Sequence, residues 1–248
     1  MRRIKLTLGY DGTGYAGWQR QVNGLSIQQA VETALHKLTG ERISVTGASR
    51  TDAGVHALGQ VCHFDMQTNI PDGKIPLALN TKLPKSIRAY AAETVDNSFH
   101  ARFDAKGKLY RYFIYNDFYA SVLERNYCWH VPQKLDVQLM DAEARLLIGR
   151  HDFSAFRASG SSAKTTIRTV FDAGCRNAAN LSSAKLEIWV HGDHFLYNMV
   201  RIFAGTLVEV GMGKRVSGAI SKAIESGDRR DLGQTAPPHG LVLERVFF

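Results

Sequence analysis

The sequence predicts an α+β protein made of two consecutive halves, residues 1–100 and 101–248, with the boundary near residues 97–107. Three observations carry this. Up to about residue 96 the hydrophobic patterns run strand, helix, strand, strand, helix, strand. A second series of strands and helices starts from residue 98, opening on an aromatic-rich strand. A chain of 248 residues is also long enough to bury either one large core or two small ones.

The elements follow in order. "RIKLTLGY" alternates polar and apolar residues, as a half-buried strand does. A Gly-rich loop follows it. "SIQQAVETALHKLTG" then places Ile27, Ala30, Val31, Ala34, Leu35 and Leu38 at helical spacing, with Ser26 as N-cap and Gly40 just past the end. "ISVTG" and "QVCHFDM" are short strand-like runs, "IPLALNTKL" reads as a short helix and "SIRAYAAETV" as a strand. This split βαβ order is shared by ferredoxin-like and RNA-recognition folds. The aromatic signature of an RNA-recognition motif is missing from these strands, so the order speaks for architecture and not for function.

In the second half "KLYRYFIYN" is a strand and "DVQLMDAEARLLIG" an amphipathic helix. "TIRTVFDAGCRN" and "AKLEIWVHG" are strands joined through the turn-rich "AANLSS". "HFLYNMVRIFAGTLVEVGMG" is strongly apolar with helical period, "SGAISKAIESG" is a shorter helix, and "GLVLERVFF" closes the half as a strand.

Composition narrows the partners. No apolar run approaches the roughly 20 residues that span a bilayer, and "MRRIKLTLGY" lacks the long apolar core and cleavage site of a signal peptide. Cys62, Cys128 and Cys175 are far apart and show no C-x-x-C spacing, which favours a reduced, cytoplasmic protein. His191 and His194 in "HGDH" have no companion pair and read as structural residues. The net charge of +8 makes a polyanion, nucleic acid first, a plausible partner. No block of like charges occurs, so that charge is spread over a folded surface.

Several stretches carry chemistry. Gly12-x-Gly14-x-x-Gly17 matches a dinucleotide fingerprint in letters, but the mechanism needs a helix to open within the motif. Here Asn23-Gly24 interrupts the chain before the helix starts at Ser26. The loop is instead a flexible carrier of Trp18 and Arg20, suited to a nucleic-acid backbone or base, or else a plain surface turn. "SRTDAGVHALGQ" joins two strands by far more residues than a hairpin needs. Asp52 there is either a turn residue, with Gly54 supplying the backbone angle, or a catalyst with Arg50 beside it. Tyr110, Tyr112 and Phe113 interleave with Lys106, Lys108 and Arg111, as in RNA-binding strands, though a core strand with basic edges fits too. Arg201 is the one charged residue between Phe195 and Val208. It either snorkels at the helix edge or meets a carboxylate from elsewhere. "FRASGSSAKTTIR" offers Arg157, Lys164 and Arg168 among small hydroxyl residues, as a phosphate-binding loop or a solvated linker.

Taken together, "SRTDAGVHALGQV", "YDGTGYAGWQRQ", "FHARFDAKGKLYRY", "FRASG", "FLYNMVRIFAGTLVEVG" and "TAPPHGLVLERV" resemble, in order and over nearly the whole chain, the bacterial tRNA pseudouridine synthase A (TruA) family. The resemblance implies an isomerase converting uridine to pseudouridine at positions 38, 39 and 40 of the tRNA anticodon stem-loop, with no cofactor and no metal. It implies a catalytic role for Asp52, an active-site Tyr110, an aspartate-pairing Arg201 and an Arg50 that helps the target base leave the helix. It further implies a homodimer that binds tRNA, and two α+β halves whose mainly antiparallel sheets join around a central active-site cleft. The residue chemistry agrees: one ionised carboxylate can open the bond from sugar to base, and stacking on Tyr110 would offset the cost of extruding the uridine. The other class that fits the same charge is a non-catalytic RNA-binding protein, which would need neither Asp52 nor Arg201.

Overall fold

The computed structural model describes residues 1–160, 163–178 and 184–248. The predicted turn "AANLSS" falls largely on residues 179–183, outside the described residues. The chain is α+β and divides into two compact units, Met1–Lys106 with Val242–Phe248, and Gly107–Leu241. The closing strand, read from the sequence as part of the second half, thus belongs to the first unit. The reason is pairing: Val242 and Leu243 lie in parallel register with His56 and Ala57.

In the first unit the elements are β1 (Arg2–Tyr10), α1 (Ile27–Thr39), β2 (Thr46–Gly47), β3 (His56–Met66), α2 (Ile75–Asn80) and β4 (Ile87–Val95). The sheet runs β4-β1-β3, with β2 on the far side of β3, and these neighbours are all antiparallel. That is the order of a split βαβ unit. Ile4, Leu6 and Leu8 alternate along β1 and are fully buried, as the period of two requires. Across from them Ile4 meets Phe64 and Leu6 meets Cys62. Helix α1 contributes Ile27, Val31, Ala34 and Leu35 to the core from one face. Its ends are the expected ones, with Ser26 accepting from the Gln29 N–H and Gly40 in the left-handed region at φ 79°. Helix α2 ends at Asn80, short of its pattern, in keeping with Pro84, which disfavours helical backbone at the residue before it.

The second unit holds β5 (Gly107–Tyr115), β6 (Trp129–His130), α3 (Val137–Arg145), β7 (Gly149–Asp152), β8 (Ile167–Asn177), β9 (Lys185–Gly192), α4 (Met199–Gly211) and α5 (Ala219–Ser226). Its sheet order is β5-β9-β8-β7, antiparallel throughout, with β6 beside β5. The last strand of the chain, Leu241–Phe247, is β10. The two short strands β6 and β7 are not visible as patterns, since "WH" is too brief and "GRHD" has no apolar alternation. Apolar α4 buries Ile202, Phe203, Leu207 and Val210, and Phe153, Phe156 and Phe203 meet edge to face around its first turns.

Helix α5 has no capping side chain of its own, because Gly218 stands at its N-cap. Glu143 of α3, only 1% exposed, supplies the missing acceptor. Its carboxylate takes the N–H groups of Gly218 and Ile220 at 2.7 and 2.8 Å and the Ser217 hydroxyl at 3.3 Å. A negative charge at this end also suits the helix dipole. Glu143→Ala leaves the buried Ile220 N–H without its acceptor and removes those of the half-buried Gly218 N–H and the exposed Ser217 hydroxyl, so it is expected to cost about 1–3 kcal/mol. Urea unfolding measures the loss, and hydrogen exchange should show it concentrated in residues 219–226.

Candidate active site

Each unit carries one set of the predicted site residues. In the first, Asp52 lies in the short connection between β2 and β3, which spans residues 48–55 because β3 begins already at His56. The connection is pinned along its length. The fully buried Gln60 accepts from the Ser49 N–H at 3.3 Å and donates to the Ser49 carbonyl at 2.8 Å. Buried Thr51 shares a 2.8 Å hydrogen bond with the Tyr10 hydroxyl. The Val55 N–H returns to the Asp52 carbonyl at 3.1 Å, closing a tight turn whose third residue, Gly54, has φ 77°. The turn foreseen for "TDAG" therefore exists, and its closing bond uses main chain. Asp52 is half-buried and Arg50 is exposed.

The Gly-rich loop lies directly against this connection. The Trp18 N–H donates to the Thr51 carbonyl at 3.0 Å, and the Gly12 N–H donates to His56 Nδ1 at 3.0 Å. His56 Nδ1 also lies 3.2 Å from Asp11 Oδ1. A Cβ on Gly12 would stand 2.1 Å from the Val55 carbonyl oxygen, and one on Gly17 2.5 Å from that of Thr51. These glycines serve the close approach of two backbones. The helix after them begins only at Ile27, so the dinucleotide geometry is not formed.

Trp18 requires a correction. It is 2% exposed and is not presented at the loop surface. Its ring fills the space over Gly47, where a Cβ would come within 2.4 Å of it. The apolar area gained by burying indole outweighs any surface role for the ring. Arg20 is exposed at the loop tip and pairs with Glu32 at 2.8 Å.

In the second unit Tyr110 sits on β5, where Lys108, Tyr110, Tyr112 and Ile114 are buried in alternation with half-buried Leu109, Arg111, Phe113 and Tyr115. The Tyr110 ring stands edge-on to Phe195, with centroids 5.2 Å apart. Tyr112 is a core residue: its hydroxyl donates to the Pro237 carbonyl at 2.8 Å, and burial pushes its ionisation far upward. Arg111 is held by Glu187 at 2.7 Å. The interleaved basic residues of this strand thus include one structural ion pair.

Arg201 lies on the first turn of α4 and is anchored from two sides. Its Nε donates to the Ala236 carbonyl at 2.8 Å, and its Nη1 to Asn198 Oδ1 at 2.8 Å. Ala236 belongs to a strap over residues 233–240 that crosses α4 at Gly205. A Cβ on Gly205 would fall 1.8 Å from the Gln234 carbonyl oxygen. Arg157 and Lys164 are exposed, and Arg168 on β8 is half-buried, with its ionisation lowered by burial against the opposing pull of Asp193. Residues 161–162, within the same predicted basic loop, lie outside the described residues.

A model of the tRNA pseudouridine synthase family matches residues 8–104 and 144–248. The chain is 49% identical over 248 residues to tRNA pseudouridine synthase A of Acetivibrio thermocellus, covering 100% of both chains. It is 47% identical over the same span to tRNA pseudouridine synthase A 2 of Clostridium perfringens and to tRNA pseudouridine synthase A of a Thermoanaerobacter species, again with 100% coverage of both chains. The chain belongs to the tRNA pseudouridine synthase family. It is therefore an enzyme of an isomerase family. Asp52 and Arg201 fall inside the matched segments, whereas Tyr110 lies between them, in the stretch that the full-length relatives cover.

Within this pseudouridine synthase some participants are silent in the sequence. Gln60, Tyr10 and Asn198 lie inside the stretches that carry the family resemblance, but nothing in their residue types points to the bonds they make; the glycine spacing was the signal for where two backbones touch. Among the described residues no group of three His, Cys, Asp or Glu is placed to hold a metal ion, and no helix is long and apolar enough to cross a membrane. His194 Nδ1 lies 3.4 Å from Lys108 Nζ, and the His191 ring is edge-on to Phe171.

Gly12→Ala is expected to push residues 51–55 away, since backbone and not a flexible side chain opposes the new Cβ. Hydrogen exchange of the connection should quicken and turnover should fall at least tenfold, with far-ultraviolet circular dichroism retained. The cysteines give an independent check on packing. All three are buried and free; burial raises each thiol, Cys128 and Cys175 to about 12 and Cys62 further. At pH 8 the thiols stay protonated, and a thiol-specific reagent should titrate none in the native protein and three after denaturation.

Proposed function

We propose that this chain isomerises uridine to pseudouridine in tRNA, at positions 38, 39 and 40 of the anticodon stem-loop, as a cytoplasmic homodimer. The observation that carries the reading is its end-to-end similarity to relatives named tRNA pseudouridine synthase A, at 49% identity with neither chain overhanging the other. The net charge of +8 supports a polyanionic substrate.

The reaction breaks the bond from the ribose to N1 of uracil and forms one to C5; the C5 proton is lost and N1 takes up one in exchange. Oxidation state is conserved, so the chemistry calls for no redox cofactor. Asp52 is the essential carboxylate, as nucleophile or as stabiliser of the sugar cation. Its main chain is fixed by the turn to Val55 and by neighbours on both sides, which supports a role that needs exact placement of one short side chain. Arg201 pairs with that carboxylate and orients it. The uridine leaves the stack at a cost of a few kcal/mol; Arg50 assists its exit, and Tyr110 receives the base and helps the C5 proton leave. Arg20, Arg157, Lys164 and Arg168 meet phosphates, and Trp18 serves from the core by holding the Asp52 connection through its N–H to Thr51.

Tritium release from tRNA labelled at uracil C5 tests the reading. Wild-type protein is expected to release label in proportion to pseudouridine formed. Asp52→Asn should bind the same tRNA and release none. Binding without release by the wild type would indicate a non-catalytic RNA-binding protein, and full release by the variant would remove Asp52 from the chemistry.

A further inference from the structure

Asn198 is the only non-glycine residue with positive φ among the described residues, at φ 60° and ψ 4°. Left-handed backbone is unfavourable for any residue with a Cβ, though Asn tolerates it better than most. It also stands at the N-cap of α4, where an Asn would ordinarily accept a hydrogen bond from the first turn, yet its side chain makes no capping bond. The side chain is spent elsewhere: Oδ1 accepts from Arg201 Nη1 at 2.8 Å. Arginine has donors only, so the amide oxygen and not its nitrogen faces the guanidinium.

The second anchor of Arg201 comes from a remote part of the same unit. Nε donates to the Ala236 carbonyl, 35 residues away, and the Ala236 N–H returns to the Arg201 carbonyl at 3.0 Å. One acceptor on Nε and another on Nη1 fix the guanidinium plane, because turning it about its last torsions breaks one bond or both. The helix is thereby begun in a backbone conformation it does not need for its own sake, and its strongest local cap is given up. A strained residue that forgoes a cap to hold a functional side chain has its reason in that side chain.

We propose that Asn198 is a positioning residue, setting the orientation in which the Arg201 guanidinium serves the reacting carboxylate. This rests on the reading that Arg201 acts on Asp52. Its effect belongs to turnover and not to tRNA affinity, since Asn198 acts only through Arg201.

Asn198→Gly isolates the side chain, because glycine adopts the left-handed backbone freely and the fold is retained. The expected result is an unchanged thermal midpoint, unchanged tRNA affinity and KM, and kcat reduced roughly tenfold or more. The same substitution in an Arg201→Met background should cause no further loss in single-turnover rate, the mark of two residues acting as one unit. Wild-type kcat in Asn198→Gly, a change confined to KM, or equal losses in both backgrounds would overturn the proposal. Failure of the underlying reading shows differently: Arg201→Met would then turn over as fast as wild type.

Discussion

Two glycines let the segment after β1 lie against the connection that carries Asp52 so closely that no side-chain atom fits between the two backbones. Much of the first unit's order at the site depends on this approach. It allows Gly12 to reach the His56 ring and Trp18 to reach the Thr51 carbonyl. Those bonds tie the connection to β1 and to the start of α1, whose Ile27 and Gln28 N–H groups in turn bond Gly17 and Trp18. A connection that would otherwise be a mobile surface loop becomes part of the packed unit. An Asp side chain has only two torsions, so its placement is set almost wholly by its backbone.

The second unit faces the opposite problem. Arginine has a long flexible stem, and here it starts from a helix that is buried from Ile202 to Val208. A guanidinium in such surroundings must have its donors satisfied. The strap over residues 233–240 meets that need with main-chain oxygens, Ala236 for Arg201 and Pro237 for Tyr112. Its approach to α4 is possible because Gly205 has no Cβ. Close backbone contact at a glycine thus recurs in both units, once to hold a short side chain by its backbone and once to bring acceptors to a long one.

These differences explain what the sequence disclosed. Period-two and period-3.6 patterns made β1, α1, β4, β5, α3, β8 and β9 legible, because each buries one face. Boundaries failed where something other than burial sets them: α2 ends at Asn80, ahead of Pro84, and the left-handed Asn198 delays α4 by several residues relative to its apolar run. Short β6 and β7 offered too few residues for a pattern. The closing strand was legible as a strand, but its assignment to a unit was not, since pairing with β3 is a tertiary fact. Among the candidate site residues, Asp52 and Arg201 stand out in the sequence as anomalies, a polar loop longer than a hairpin and a charge in a largely apolar helix. Trp18 was misread because a ring beside glycines looks exposed in sequence, and only the fold shows that Gly47 makes room for it.

The glycine pattern itself is the instructive case. Read as letters, Gly12, Gly14 and Gly17 suggest a phosphate cradle; read by geometry, two of them, Gly12 and Gly17, are contacts of backbone on backbone. The physical requirement is the same in either setting, namely that no Cβ intervene at the point of approach. What differs is the object approached, a ligand in one case and the Asp52 connection in the other. A glycine motif therefore reports proximity before it reports a ligand. The position of the following helix decides between the two, and here it begins ten residues past Gly17, at Ile27.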